Sequence, residues 1–126
     1  MDEDIIYGLV NDWDEVYKKG QLGLWVLLSL YEGRKYTAEI IEFMATASNG
    51  HFEVKEQSLY RALRRYDGMN LVEVTEEPSP NSGPKRKYYS LTPLGRAVLG
   101  RFVSLQILPL LEPRVSTIIK QAAKEL

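Results

Sequence analysis

The sequence predicts a mainly α-helical fold carrying one small β-hairpin (α+β), and three observations predict it. Apolar residues recur at helical spacing through most of the chain. Two short alternating runs, Leu71–Glu76 and Tyr88–Thr92, flank a Gly/Pro/Asn/Ser cluster that ends in Gly83-Pro84-Lys85-Arg86-Lys87. Just upstream, Lys55–Tyr66 reads as a basic amphipathic helix. Together these describe a winged helix-turn-helix with extra helices at both ends.

Taken in order, Ile6, Leu9, Val10, Trp13, Val16 and Tyr17 mark a first amphipathic helix over residues 2–18, with a basic last turn and Gly20 as its stop. Leu22–Tyr31 is apolar almost all round and reads as a central buried helix ended by Gly33. Thr37 is placed to cap a third helix, with Ala38, Ile41, Met44 and Ala45 facing inward and a stop near Ser48-Asn49-Gly50. The basic helix runs from about Glu56 to Met69, with Asn70 as a left-handed terminator. The hairpin follows over Leu71–Leu91, its basic residues at the tip. Thr92 then caps a helix with Pro93 at its first position and Leu94, Val98, Phe102, Leu105 and Leu108 as its stripe. Pro109 and Pro113 bend or break it before a last stripe of Val115, Ile118, Ile119 and Ala122.

The 126 residues, 44% hydrophobic and 26% charged, fit one soluble globular domain with a modest core. With no cysteine, disulfides, thiol catalysis and thiolate metal sites are excluded. The acidic start Met1-Asp2-Glu3-Asp4 argues against a leader peptide, and no apolar run approaches the roughly 18 residues of a membrane span, so a cytoplasmic location is expected. His51 is the single histidine and reads as a solvated loop residue. No metal cluster, nucleophile elbow or phosphate-cradling glycine loop is found, so neither enzyme activity nor a cofactor is expected.

Net charge is −1, but its distribution is uneven: residues 1–53 carry 4 basic and 10 acidic side chains, whereas residues 54–101 carry 9 and 5. A local basic face can therefore sit on an acidic remainder. On the basic helix, Leu59, Ala62, Leu63 and Tyr66 share the core face, and Gln57, Ser58, Arg61, Arg64 and Arg65 lie opposite. A recognition helix enters the major groove N-terminus first, which makes Lys55, Gln57, Ser58 and Arg61 candidates for base contact. Arg64 and Arg65 suit phosphates. Lys85, Arg86 and Lys87 at the wing suit phosphate or the minor groove. The bland alternatives are a solvated helix face and a charged turn that keeps a hairpin edge soluble. Amides at Thr37 suit one more phosphate or a plain cap.

A winged-helix body fills residues 20–92, leaving arms at 1–19 and 93–126. Their stripes exceed what one small core needs, so a two-fold dimer is expected, with Ile6, Leu9, Trp13, Phe102, Leu105, Leu108, Val115, Ile118 and Ile119 as contacts. Folding back on the body is the alternative. The partners expected are double-stranded DNA and a second copy of the chain, with an unidentified small-molecule effector allowed and no membrane. A protein-interaction module with an incidental basic face is the rival reading.

Gln57–Arg65 followed by Gly83–Gly95 resembles the PadR family of prokaryotic transcription regulators, and Gly20-Gln21-Leu22 with Val26–Leu30 is similar to that family's first segment. The resemblance spans about residues 20–100. It implies a homodimeric winged-helix repressor on a near-palindromic operator, dimerised through the C-terminal region with help from the N-terminal helix. It also implies operator contact by Tyr60, which by residue type alone could equally lie half-buried between helices. This chain departs from the family at Tyr36-Thr37-Ala38-Glu39, which lacks the usual second-helix tyrosine, and at Arg61, where proline is usual. Its C-terminal helix has no tryptophan, so the drug pocket of some relatives is not carried over.

Overall fold

The computed structural model describes residues 2–126. Its elements run α1 (Glu3–Lys18), α2 (Gln21–Tyr31), α3 (Thr37–Ala47), α4 (Glu56–Gly68), β1 (Val72–Glu77), β2 (Arg86–Leu91), α5 (Pro93–Gln106), α6 (Leu108–Leu111) and α7 (Pro113–Ala122). Three helices, an antiparallel hairpin and a closing helix make the winged-helix body that the sequence predicts.

The core is one cluster in which Val26, Leu27 and Leu30 of α2 meet Ile40 and Met44 of α3, the four inward residues of α4, and Val72, Tyr89 and Leu91 of the hairpin. Leu59, Ala62, Leu63 and Tyr66 are all buried, as their spacing requires. On α3 the expected face needs correction. Ala38 is exposed, and Ile40 is the fully buried residue. Ile40 and Met44 lie one turn apart and carry far more apolar area than alanine, so they set the helix rotation. Nor does Thr37 cap this helix. Tyr36 is the extended cap residue, and its backbone N–H donates to the Glu39 carboxylate at 3.2 Å, leaving Thr37 as the first helical residue.

The hairpin pairs Val72↔Leu91 through Glu77↔Arg86. Arg86 and Lys87 are therefore strand residues, and only Lys85 of the basic triplet lies in the turn. In the register Glu76 stands opposite Lys87 and Glu77 opposite Arg86, but neither couple closes into an ion pair among the described residues. The left-handed residue of the turn is Ser82 (φ 57°), not Gly83. A one-residue bridge adds a third strand stub: Lys35 N–H donates to Tyr89 C=O at 3.0 Å, and Tyr89 N–H to Lys35 C=O at 2.8 Å.

The Leu91–Gly95 stretch locks α5 to the base of the wing. Thr92 Oγ1 accepts from Gly95 N–H at 2.9 Å and donates to Asn70 C=O at 2.6 Å. A Cβ on Gly95 would lie 2.0 Å from the Leu71 carbonyl oxygen, so only glycine fits. Beyond it α5 is apolar on two sides. Gly95 and Leu99 are buried and Val103 packs against the core, whereas Leu94, Val98, Phe102 and Leu105 stay exposed. Pro109 splits the C-terminal region rather than kinking it: α5 ends at Gln106, and proline has no N–H to carry its ladder on. Glu112 then caps α7 by accepting from Val115 N–H at 3.1 Å, with Pro113 at the first position. Helices α1, α6 and α7 bury no residue fully. Among the described residues no helix is long and apolar enough to cross a membrane.

Candidate nucleic-acid interface

Helix α4 presents its polar face because its apolar face is consumed by the core. Gln57, Arg61, Arg64 and Arg65 are exposed, Ser58 is half-buried, and Lys55 is the exposed, extended residue that opens the helix. Tyr60 sits at the edge of this face, 38% exposed, with its phenol oxygen 3.4 Å from Thr37 Oγ1. The start of α3 and the middle of α4 are thus joined by two hydroxyls, both facing outward.

Two clefts meet at Tyr60. One, of about 320 Å³, is lined by Tyr36, Thr37, Tyr60, Lys85, Arg86 and Lys87. The other, of about 250 Å³, is lined by Tyr60, Leu63, Arg64, Asp67, Val74, Lys87 and Tyr89. Six of the sequence-derived candidates, namely Thr37, Tyr60, Arg64, Lys85, Arg86 and Lys87, therefore converge between α3, α4 and the wing. Lys55, Gln57, Ser58 and Arg61 line neither cleft and belong to the first turns of α4. Arg65 lies 5.3 Å over the Tyr66 ring and lines neither cleft. Lys85 and Lys87 form no ion pair among the described residues, so their charge is available to a polyanion.

The cations are set in an aromatic frame that the sequence did not single out. Arg34 makes a bidentate ion pair with Glu77, one arm at 2.8 Å, and its guanidinium lies 4.4 Å from the Tyr88 ring centre. This pair holds the Glu77 carboxyl below the ordinary glutamate range and raises Arg34. Tyr88 packs edge-on against Tyr36 at 5.6 Å, and Arg86 lies 4.3 Å over Tyr36. Alternation was the available signal: Arg34 and Tyr36 flank the bridged Lys35, and Arg86 and Tyr88 share one face of β2. Tyr89 points the other way into the core, and burial raises its phenol.

His51 is solvated, as expected, but it is not idle: its Nε2 lies 3.2 Å from Asp14. Lys18, at 3.1 Å, and then His51 hold the Asp14 carboxyl below the usual carboxylate range. This clip ties α1 to the α3–α4 loop. The dimerisation candidates Leu9, Trp13, Phe102, Leu105, Leu108, Ile118 and Ile119 are exposed on the single chain, whereas Ile6 and Val115 are half-buried.

Residues 26–101 match the family model described as the transcriptional regulator PadR-like family. A PadR-like transcription factor from Bacteroides fragilis is similar at 30% identity and a TM-score of 0.64, covering 86% of this chain and 98% of that one. A PadR family transcriptional regulator from Eggerthella lenta is similar at 25% identity and a TM-score of 0.65, covering 93% and 94%. The fold also matches Bacillus subtilis PadR, solved in complex with operator DNA, at 17% identity and a TM-score of 0.60 over 65% of this chain and 46% of that one.

Proposed function

The chain belongs to the PadR-like family of transcriptional regulators, and we propose that it acts in the cytoplasm as a homodimeric, sequence-specific DNA-binding repressor on a near-palindromic operator. The observation that carries this reading is the meeting of Tyr60, Arg64, Lys85 and Lys87 at adjoining clefts beside the exposed face of α4. In the major groove, the first turns of α4 bring Lys55, Gln57, Ser58 and Arg61 to the base edges, where arginine pairs with guanine and glutamine with adenine. Arg64, Arg65 and the wing lysines meet phosphate, and Thr37 with Tyr60 offers two hydroxyls to the same backbone. That Bacillus subtilis PadR, a protein of the same fold, is solved in complex with operator DNA supports a DNA-binding reading. In this reading the chain binds and does no chemistry of its own.

A homodimer is supported by the apolar side chains of α1 and α5–α7 that the single chain leaves uncovered, with Trp13 76% and Leu105 63% exposed. A two-fold pair of these arms would set two copies of α4 facing one duplex, which matches a palindromic site. The acidic α1 and the same uncovered faces favour a second reading, an interaction module for another protein. Light scattering separates them, because a stable homodimer consumes the arms and a monomer leaves them free. The function itself is tested by selecting pooled genomic fragments with the purified protein. Enrichment of a near-palindromic site is expected; recovery of no sequence above background would overturn the reading.

A further inference from the structure

The three wing cations are not equivalent. Lys85 and Lys87 are exposed and make no ion pair among the described residues, whereas Arg86 is half-buried with its guanidinium held on the Tyr36 ring. We infer that Arg86 is a positioning residue, which with Tyr36, Tyr88 and Arg34 forms a stack fixing the wing against the start of α3 and leaving Lys85 and Lys87 to meet phosphate. The last part of this inference rests on the DNA reading above.

The geometry has three components. First, the strand stub at Lys35 brings Arg34 and Tyr36 to the same side as Arg86 and Tyr88, and Lys35 itself turns away. Its Nζ bonds the Ser29 carbonyl and lies 3.1 Å from Glu32, which anchors the stub to the end of α2. Second, the order Arg34–Tyr88–Tyr36–Arg86 places a crossed pair of rings between two cations, with each guanidinium about 4.4 Å or less from an aromatic centre and the rings at 82°. Cations over ring faces and edge-on ring pairs are both favourable. Third, charge is managed within the stack. Glu77 stands opposite Arg86 in the hairpin register but is taken by Arg34. That leaves Arg86 to the ring, and the two guanidinium groups lie at opposite ends, separated by two rings.

A hairpin joined to the body only by its base would swing, and lysines on a swinging arm lose affinity to conformational entropy. The stack removes that freedom at the tip-proximal end of the wing, where Lys85 and Lys87 sit. Arg86 therefore acts through Tyr36 rather than beside it, and a phosphate ligand would not.

The test is a double-mutant cycle on duplex binding, combined with hydrogen exchange on the free protein. R86Q and Y36L are each expected to weaken binding to the selected duplex roughly tenfold, and the double variant to be no weaker than the worse single variant, because both break one stack. Y36F should retain wild-type binding. In the unbound protein, wing amides of β1 and β2 should exchange faster in R86Q and Y36L but not in Y36F, K85Q or K87Q. Additive losses in the cycle would overturn the inference and make Arg86 an independent phosphate contact. Unchanged wing exchange in Y36L would overturn it as well. Absence of duplex binding by the wild-type protein would instead sink the DNA reading, while the exchange experiment still decides the stack.

Discussion

Helices α4 and α1 carry comparable amphipathic patterns and meet opposite fates. α4 buries Leu59, Ala62, Leu63 and Tyr66, and the polar face left over becomes the candidate interface. α1 buries nothing fully and leaves Leu9, Trp13 and Val16 in the open, held to the body by the His51–Asp14 clip. The difference lies in neighbours, not in periodicity. α4 packs against both α3 and β1, whereas α1 packs chiefly on the adjoining α2 and meets the α3–α4 loop through His51. An apolar stripe announces that a face will be covered; it does not say from which chain. The body folds within one chain, and on the proposed function the arms are the part that a second copy covers.

The largest effect that would break this division is at the seam between the two parts. Replacing Gly95 with alanine puts a Cβ into the Leu71 carbonyl oxygen. It should cost at least about 3 kcal/mol and unfold body and arms together, read as a drop in the thermal midpoint. Retention of the wild-type midpoint would mean that α5 is not locked to the wing. Next come the arms alone. The double variant W13E/L105E places charge on two uncovered positions, and it should raise the dimer dissociation constant at least about 100-fold while leaving the monomer folded. Light scattering with circular dichroism checks both. A variant that unfolds instead would show that the arms pack on their own body.

How much of this was legible in the sequence can be traced residue by residue. The core face of α4, the cap at Thr92 with Pro93 behind it, and the left-handed Asn70 (φ 61°) were readable because each is a local rule obeyed locally. Ala38 was misjudged because helix rotation is decided by whichever residues bury most area, and Ile40 outweighs it. The basic triplet reads as the turn because Gly83 and Pro84 precede it; the backbone ladder from Val72↔Leu91 to Glu77↔Arg86 carries Arg86 and Lys87 into the strand, a pairing between residues that the whole turn separates in sequence. For the Arg34–Tyr88–Tyr36–Arg86 stack the sequence offers only the alternation within each segment, and the single bridge at Lys35 that brings the two segments together has no local signal. The glycine of the Leu91–Gly95 motif could be recognised but not explained until the Leu71 carbonyl stood beside it.

Smaller effects sharpen the contrast on the body side. Arg61→Ala should reduce discrimination between the selected site and a scrambled duplex by about 1–3 kcal/mol, with dimerisation unchanged. Equal loss on both duplexes would reassign Arg61 to phosphate. The smallest effect concerns acid. Glu77 has its carboxyl lowered by Arg34, so the stability it adds is present above the ordinary glutamate range and is lost as pH falls through its depressed value. Wild-type protein and E77Q should therefore differ most in wing exchange near neutral pH and converge in acid. A difference that grows on acidification would refute the pairing. Its exposed position keeps the effect modest and salt-sensitive.

The most direct test of the central claim, that the face between α4 and the wing reads DNA, is the salt dependence of duplex binding by the wild-type protein and by K85A/K87A. Each lost phosphate contact should flatten the slope of log K against log salt by about 0.9, so two lysines on each of two protomers should remove about 3.6. Steep wild-type dependence with a loss near that size is the predicted result. An identical slope in both proteins would contradict it and leave the wing without a part in holding DNA.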